Sequence, residues 1–430
     1  MNISEHTACL GLYLGSPFFL TLAERRRHVY MLGKTGTGKT TLLHNLIVDD
    51  LRAGAGLAIL DPHGDLAETL LDHVPRHRTH EVIYFAPADL ERPVGLNVLE
   101  DVPEDYRPTV ADGVITAFRS IWVDSWGARL EHFLRNAILA LMDSPGETLL
   151  GIPLMLTDEG FRARIVAKVR NPIVRFFWEV ELPGYPQHYS REAMGPVLNK
   201  IESFLVFPAI RNIVGQSHST FDARFLIDHN RILIANLAKG LIGEEAANLL
   251  GSLLVTKIQL AAMSRANQLE VFRQDFTLYA DEFHSFTTES FATVLAEARK
   301  YRLALVIAHQ YLGQLRDSVR DAVFGNIGTM VVFRVGAADG EVFCKEFAPL
   351  NLVELTELSA FCAWAKTPEH LQRLPLSTLS PTQPPGIRGF KVREQSRRHF
   401  TRCRADVETQ LHHLFARKEK RDRARGIPKR

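Results

Sequence analysis

Residues 33 to 40 read Gly33-Lys34-Thr35-Gly36-Thr37-Gly38-Lys39-Thr40, a full match to the glycine-rich phosphate loop GxxxxGK[ST]. The chemistry follows from the residue types. A loop of glycines lets successive backbone N–H groups approach a nucleotide, and the helix N-terminus that follows favours its phosphates. Lys39 would reach the β- and γ-phosphates as a point charge, and the Thr40 hydroxyl would hold Mg²⁺. The expected nucleotide-binding set is Gly33, Thr35, Gly36, Thr37, Gly38, Lys39, Thr40 and Thr41, with ATP and Mg²⁺ as the ligands.

A phosphate loop needs an acid on its metal side. The run Phe276-Thr277-Leu278-Tyr279-Ala280-Asp281-Glu282 is an apolar strand that ends in two carboxylates. Asp281 is expected at the Mg²⁺, and Glu282 is expected to orient and deprotonate the attacking water. Paired acids favour hydrolysis over simple binding. Twenty-eight residues further, the apolar run Leu303 to Ala308 ends in His309-Gln310. A polar residue at the carboxyl end of a strand beside the P-loop strand lies over the nucleotide crevice, so Gln310 is a candidate γ-phosphate sensor, while His309 is expected to pack or bond locally. Arg299, in AlaGluAlaArgLysTyr, closes a helix and faces either a neighbouring subunit or solvent; spacing alone leaves the choice open.

These residues need a scaffold, and the chain supplies alternating strands and helices. Val29 to Leu32 is a short apolar run, followed by the glycine loop and then by the helical pattern Thr41 to Leu51. Gly56 to Leu60, ending at Asp61, and Val82 to Phe85 read as further buried strands. Arg231 to Asn236, Phe276 to Ala280, Leu303 to Ala308 and Thr329 to Val335 continue the series, separated by helical spans as a parallel sheet requires. From about Asn97 to Ser219 the pattern changes to helical segments such as Trp126 to Met142, with almost no strand signal. The expected organisation is an α/β core in two parts, residues 1–96 and 220–380, with an inserted all-helical domain at 97–219 and a basic tail at 381–430.

Length and composition agree with a soluble globular protein. The chain has 430 residues, 46% hydrophobic and 23% charged, enough to bury a large core in two or three domains. The apolar stretch Leu10 to Leu22 is broken by Gly15, Ser16 and Pro17 and falls short of the roughly 20 residues that span a bilayer. No signal peptide or membrane anchor is visible. Cys9, Cys344, Cys362 and Cys403 lie far apart, without zinc-site spacing or the density of a disulfide framework, so a reducing cytoplasm is expected. The net charge of +2 conceals an asymmetry: residues 388–430 carry 15 Lys/Arg against 5 Asp/Glu. Such a tail is either a solvated charged helix end or a contact to nucleic-acid phosphates.

Taken together, GKTGTGKTTLL at Gly33 to Leu43, DPHGDL at Asp61 to Leu66, GLN at Gly95 to Asn97, NLAKGLIGE at Asn236 to Glu244, LYADEF at Leu278 to Phe283 and EARKYRLALVIAHQ at Glu297 to Gln310 resemble the HerA/FtsK superfamily. Within it, the chain is most similar to the TraG/TraD-type conjugative coupling ATPases and their soluble relatives, over roughly residues 25 to 370. The resemblance implies a RecA-like core and a hexameric ring with ATP at subunit interfaces and DNA in the central channel. It also implies an arginine finger at Arg299 and raises Arg27 as a second trans-acting candidate. Asp61 resembles the acidic residue after the second strand, near the nucleotide, and the helical insert resembles the all-alpha domain that caps one face of the ring. Membrane-bound coupling proteins carry transmembrane helices before the P-loop strand, and about 30 residues stand there here. No direct membrane insertion is therefore expected, and any place at the inner membrane would come through partners.

Three functional classes follow. The first is a DNA translocase of conjugation or mobile-element transfer, with a relaxase or a secretion channel as partner. The second is an ATPase energising type IV secretion of protein. The third is a DNA-processing or defence ATPase acting with a nuclease partner. Arg119, Arg129 and Arg135 in the helical insert, with the basic tail, are the candidates to line a channel.

Overall fold

The computed structural model describes residues 8–122, 125–287, 291–370 and 372–424. The chain forms two compact units, Met1–Phe85 with Ala223–Gly240 and Ile258–Ser396, and Ala86–Asp222 with Leu241–Lys257 and Arg397–Arg430. The first unit holds one sheet of eleven strands in the order β2-β1-β11-β10-β9-β3-β8-β7-β4-β6-β5. The strands are β1 (Ala8–Tyr13), β2 (Ser16–Leu20), β3 (Val29–Leu32), β4 (Gly56–Asp61), β5 (Val82–Phe85), β6 (Ile232–Asn236), β7 (Phe276–Ala280), β8 (Leu303–His309), β9 (Thr329–Val332), β10 (Cys362–Lys366) and β11 (Leu374–Ser377). From β9 to β5 every pairing is parallel. Strands β3, β4, β7 and β8 are buried along their whole length, which is why they read as unbroken apolar runs rather than as alternating ones.

The other four strands pair antiparallel and extend the sheet beyond β9. The apolar stretch from Leu10 is a hairpin: Leu14 (φ 49°) and Gly15 (φ 81°) make the two-residue turn between β1 and β2. Both turn residues are left-handed, as the right-handed strand twist demands of so tight a connection.

The second unit is helical. Between residues 86 and 222 no β-strand occurs among the described residues, and the longer helices are Arg107–Ile121, Ala128–Met142 and Gln187–Leu205. Trp122, just past the first, meets Phe204 of the third edge-on with centroids 4.9 Å apart, and Phe133 of the second meets Phe177 of the turn Phe177–Glu181 at 5.3 Å. Asn97, of the GLN motif, ties the unit together. Its Nδ2 donates to the carbonyls of Glu147 at 3.0 Å and Ser217 at 2.9 Å, and its own carbonyl accepts from Lys257 Nζ at 2.9 Å.

The segment after Pro385 is more than a solvated tail. Helix Gly389–Phe400 opens with the backbone N–H groups of Arg388 and Gly389 on Asp72 Oδ1 at 2.5 and 2.6 Å, buries Val392, and has Ser396 Oγ accepting from the Tyr84 N–H at 2.7 Å. In helix Arg404–Ala424, Val407 and Leu411 pack with Leu150. With Leu414, which packs against the same cluster, they form an i, i+4, i+7 apolar stripe on a helix rich in charge. The basic run 417–430 lies outside the residues whose side chains are described. One helical stretch among the described residues, Glu244–Asn267, is long and apolar enough to cross a membrane by length and composition, and 78% of its apolar window is buried within the protein.

Candidate active site

The phosphate loop leaves the carboxyl end of β3, a strand flanked by β8 and β9, and enters helix Lys39–Ala53. Gly36 (φ 75°) and Gly38 (φ 117°) take left-handed backbone that a side chain would oppose. A Cβ on Gly33 would stand 2.6 Å from Phe333 Cβ, so that glycine is required by close approach. Lys39 is buried and folds back on the loop, with Nζ 2.6 Å from the Gly33 carbonyl and 3.1 Å from that of Lys34. Burial lowers its pKa, against the fields of Glu282 and Asp281.

Asp281 and Glu282 follow β7, the strand beside β8. Thr40 Oγ1 donates to Asp281 Oδ2 at 3.1 Å, which brings the loop hydroxyl and the strand-end acid into direct contact. Burial, then the neighbouring Glu282, with Asp61 adding, push the Asp281 carboxyl up to about 6, while the Thr40 hydrogen bond opposes them. The Thr40 hydroxyl and the Asp281 carboxylate are hard oxygen donors of the kind that suit a divalent cation bound mainly by a nucleotide's phosphates. Glu282 sits in left-handed backbone (φ 45°), a strained conformation typical of functional positions. Its Oε2 is buried without a hydrogen bond, 3.4 Å from His284 Nδ1.

Gln310, at the carboxyl end of β8, donates from Nε2 to Glu282 Oε1 at 2.9 Å. Its loop is built around Gln314, whose Oε1 accepts from the N–H groups of Gln310 and Tyr311 at 3.1 Å each and lies 3.3 Å from His309 Nδ1. The Gln314 amide continues to His284 Nε2 at 3.3 Å. His309 is fully buried, meets the Tyr30 hydroxyl at 2.7 Å, and is held neutral, its pKa lowered to about 3 chiefly by burial. It packs and bonds locally, as expected of it.

Other candidates lie elsewhere. Asp61 is buried with both oxygens engaged, Oδ1 by the His63 N–H and Oδ2 by the Ala67 N–H, each at 2.9 Å, so it fastens the turn after β4. Arg27 precedes β3 and Arg299 precedes β8, both exposed, at the amino ends of strands whose carboxyl ends carry the phosphate loop and Gln310. At about 3.3 Å per residue, the seven residues of β8 alone set Arg299 on the order of 20 Å from that edge. Among the described residues neither guanidinium has a salt-bridge partner, whereas Arg25 pairs with Asp50 and Arg26 with Asp275, each at 2.6 Å. In the helical unit, Arg119 lies 3.6 Å from Glu131, and Arg135 pairs with Asp112 and Glu131. Those two arginines are already countered by acids.

The structure adds His284, Gln314, Phe333 and Phe361 to the surroundings of the site. His284 stands two residues after Glu282 and was open to notice. The other three have no signature, because the chain returns them to the loop only through β9, β10 and the turn after β8.

The model of the central domain of the helicase HerA matches residues 14–110. In fold, the chain is similar to the bacterial conjugative coupling protein TrwB lacking its first 70 residues, with a TM-score of 0.63 and 18% identity over 88% of this chain and 92% of that one. It is equally similar to TrwB in complex with ADP and Mg²⁺, with a TM-score of 0.63 and 18% identity over 87% of this chain and 91% of that one. VirB4 of Thermoanaerobacter pseudethanolicus follows, with a TM-score of 0.60 and 14% identity over 88% of this chain and 98% of that one. Sequence comparison with curated proteins finds no match. The architecture is therefore a RecA-like α/β P-loop fold.

Proposed function

We propose that the chain is a Mg²⁺-dependent ATPase that drives DNA through a ring of its own copies, as a conjugative coupling ATPase would. The convergence of Lys39, Thr40, Asp281, Glu282 and Gln310 at the carboxyl ends of β3, β7 and β8 carries the reading. The TrwB structures with ADP and Mg²⁺ and with a non-hydrolysable ATP analogue support the choice of ligand.

Each residue then has one task. The loop amides and the N-terminus of helix Lys39–Ala53 receive the phosphates, and Lys39 leaves the Gly33 and Lys34 carbonyls for them. Thr40 and Asp281 would hold Mg²⁺, which neutralises charge on the phosphate oxygens. Glu282 takes the proton of the attacking water through the carboxylate that Gln310 orients. Asp61 holds the neighbouring turn and adds negative field at Asp281.

The ring and its DNA rest on separate observations. Arg27 and Arg299 lie exposed at the amino ends of β3 and β8, away from their own phosphate loop, which supports their reaching the loop of a second copy. The basic run 417–430 suits a phosphate backbone. A relaxase, a secretion channel or a nuclease would be the further partner.

Lys39→Ala should abolish hydrolysis and weaken nucleotide binding, whereas Glu282→Gln should bind and not turn over. Wild-type turnover should rise with single- or double-stranded DNA. Near-normal hydrolysis by Glu282→Gln overturns its role as base, and turnover indifferent to both forms of DNA favours protein secretion over DNA transport.

A further inference from the structure

The acids and the glutamine occupy one side of the phosphate loop. Asp281 and Glu282 follow β7, and Gln310 follows β8, so the hydrolytic end of a nucleotide belongs on the β8–β7 side of β3. Its sugar and base must then leave the loop on the other side, toward β9 and β10. There stands Phe361.

Four observations single it out. Strand β10 runs antiparallel to β9, with Trp364 opposite Val332, and β9 runs parallel to β3, with Val332 opposite Leu32. Phe361, just before β10, thus reaches the same edge as the phosphate loop. Its backbone is clamped there: its N–H donates to the Thr37 carbonyl at 2.8 Å, and its carbonyl accepts from the Thr378 N–H at 2.7 Å. The clamp holds it at φ 64°, left-handed backbone that a bulky residue adopts only where its surroundings impose it. Its ring lies beside Gly38, since a Cβ there would come within 3.1 Å of Phe361 Cδ1 and 3.2 Å of Phe333 Cε1. Phe333 is fully buried, but Phe361 remains 48% exposed. A phenyl group fixed against the first turn of the phosphate-binding helix, with half its surface left to solvent, is a preformed face for a flat or apolar ligand group.

We propose that Phe361 is the platform on which the nucleoside end of the nucleotide rests, its ring against the base or ribose while the phosphates enter the loop. The inference rests on the nucleotide reading above and deepens it. Stacking on an aromatic face tolerates every base, so adenine and guanine nucleotides should gain alike.

Titration calorimetry with ADP, GDP and inorganic tripolyphosphate, each with Mg²⁺, separates a nucleoside contact from support of the loop. Phe361→Asn keeps a residue that tolerates left-handed backbone and removes the ring. It should weaken ADP and GDP binding on the order of ten- to a hundredfold, and leave tripolyphosphate within about twofold. Phe361→Trp should restore ADP affinity, with its fluorescence changed by ADP and unaffected by tripolyphosphate. Equal losses for ADP and tripolyphosphate would assign Phe361 to the loop's own structure and overturn the proposal, as would unaltered ADP affinity in Phe361→Asn. A wild-type chain that binds neither ligand overturns the nucleotide reading and this inference with it; wild-type binding with an indifferent Phe361→Asn overturns this inference alone.

Discussion

Glu282 is the residue on which turnover would depend, and it is held from two directions. Gln310 donates to Oε1, while Oε2 faces His284 without a hydrogen bond. A base that keeps one buried oxygen unsatisfied retains a lone pair for a water proton. In the proposed mechanism Gln310 fixes the aim of that acid through the Nε2–Oε1 hydrogen bond. Gln310→Ala should therefore leave ATP affinity within about twofold and lower kcat on the order of ten- to a hundredfold, measured by steady-state hydrolysis beside equilibrium binding. Undiminished kcat would remove Gln310 from the hydrolytic step. The phosphate loop, Asp281, Glu282 and Gln310 were legible in the sequence because strand-end position and loop backbone dictate their residue types. Gln314 and Phe361 were not: Gln314 serves by a side-chain bond to the backbone of its own turn, which no motif marks, and Phe361 by a backbone contact that only the folded chain brings to the loop.

At the scale of elements, the seven parallel strands were readable as apolar runs because both faces of the sheet are covered there. The hairpin β1–β2 escaped because a leucine occupies a left-handed turn position that asparagine or glycine would have advertised. Strands β10 and β11 alternate between buried and more exposed residues over four or five positions, too short a pattern to stand out. His28 joins three elements. At φ 66° it turns the chain into β3, its Nε2 lies 3.2 Å from the Leu295 carbonyl, and its Nδ1 accepts from the Leu305 N–H at 3.1 Å. Burial first, and Arg299 in addition, lower its pKa to about 4 against the Leu295 carbonyl. Unfolded, the ring titrates near 6.5, so between about pH 6.5 and 4 the unfolded chain takes up a proton that the folded one refuses. Stability should fall as pH drops through that window, by on the order of 3 kcal/mol from this residue, with no contribution above it. The urea midpoint followed from pH 7.5 to 4.5 checks this. His28→Asn should start lower and lose less on acidification, and parallel pH slopes in the two proteins would show that His28 does not titrate as stated.

At the scale of the whole molecule, Lys39, Glu282 and Gln310 stand at the carboxyl edge of the parallel strands, and Arg27 and Arg299, which have no salt-bridge partner among the described residues, stand at the amino edge. If either arginine serves a nucleotide, as the proposed ring requires, it serves that of another copy, with the amino edge of one sheet against the carboxyl edge of the next. Cationic stabilisation of the transferring phosphoryl group contributes on the order of 10³ to 10⁵ in rate where it comes from such a finger, and Arg299→Ala should bind ATP and scarcely hydrolyse it. A finger supplied in trans makes a stricter demand. In assemblies mixed from Arg299→Ala and Glu282→Gln copies, one kind of interface joins an intact Glu282 to an intact Arg299 from its neighbour, and that interface hydrolyses. Two inactive proteins should therefore regain part of the wild-type rate on mixing, with a maximum at intermediate ratios. If pull-down shows that the variants assemble together and hydrolysis stays at background at every ratio, no single completed interface fires by itself. Normal turnover by Arg299→Ala alone would dismiss the finger, and Arg27, on the same edge, would take its place in the same mixing experiment.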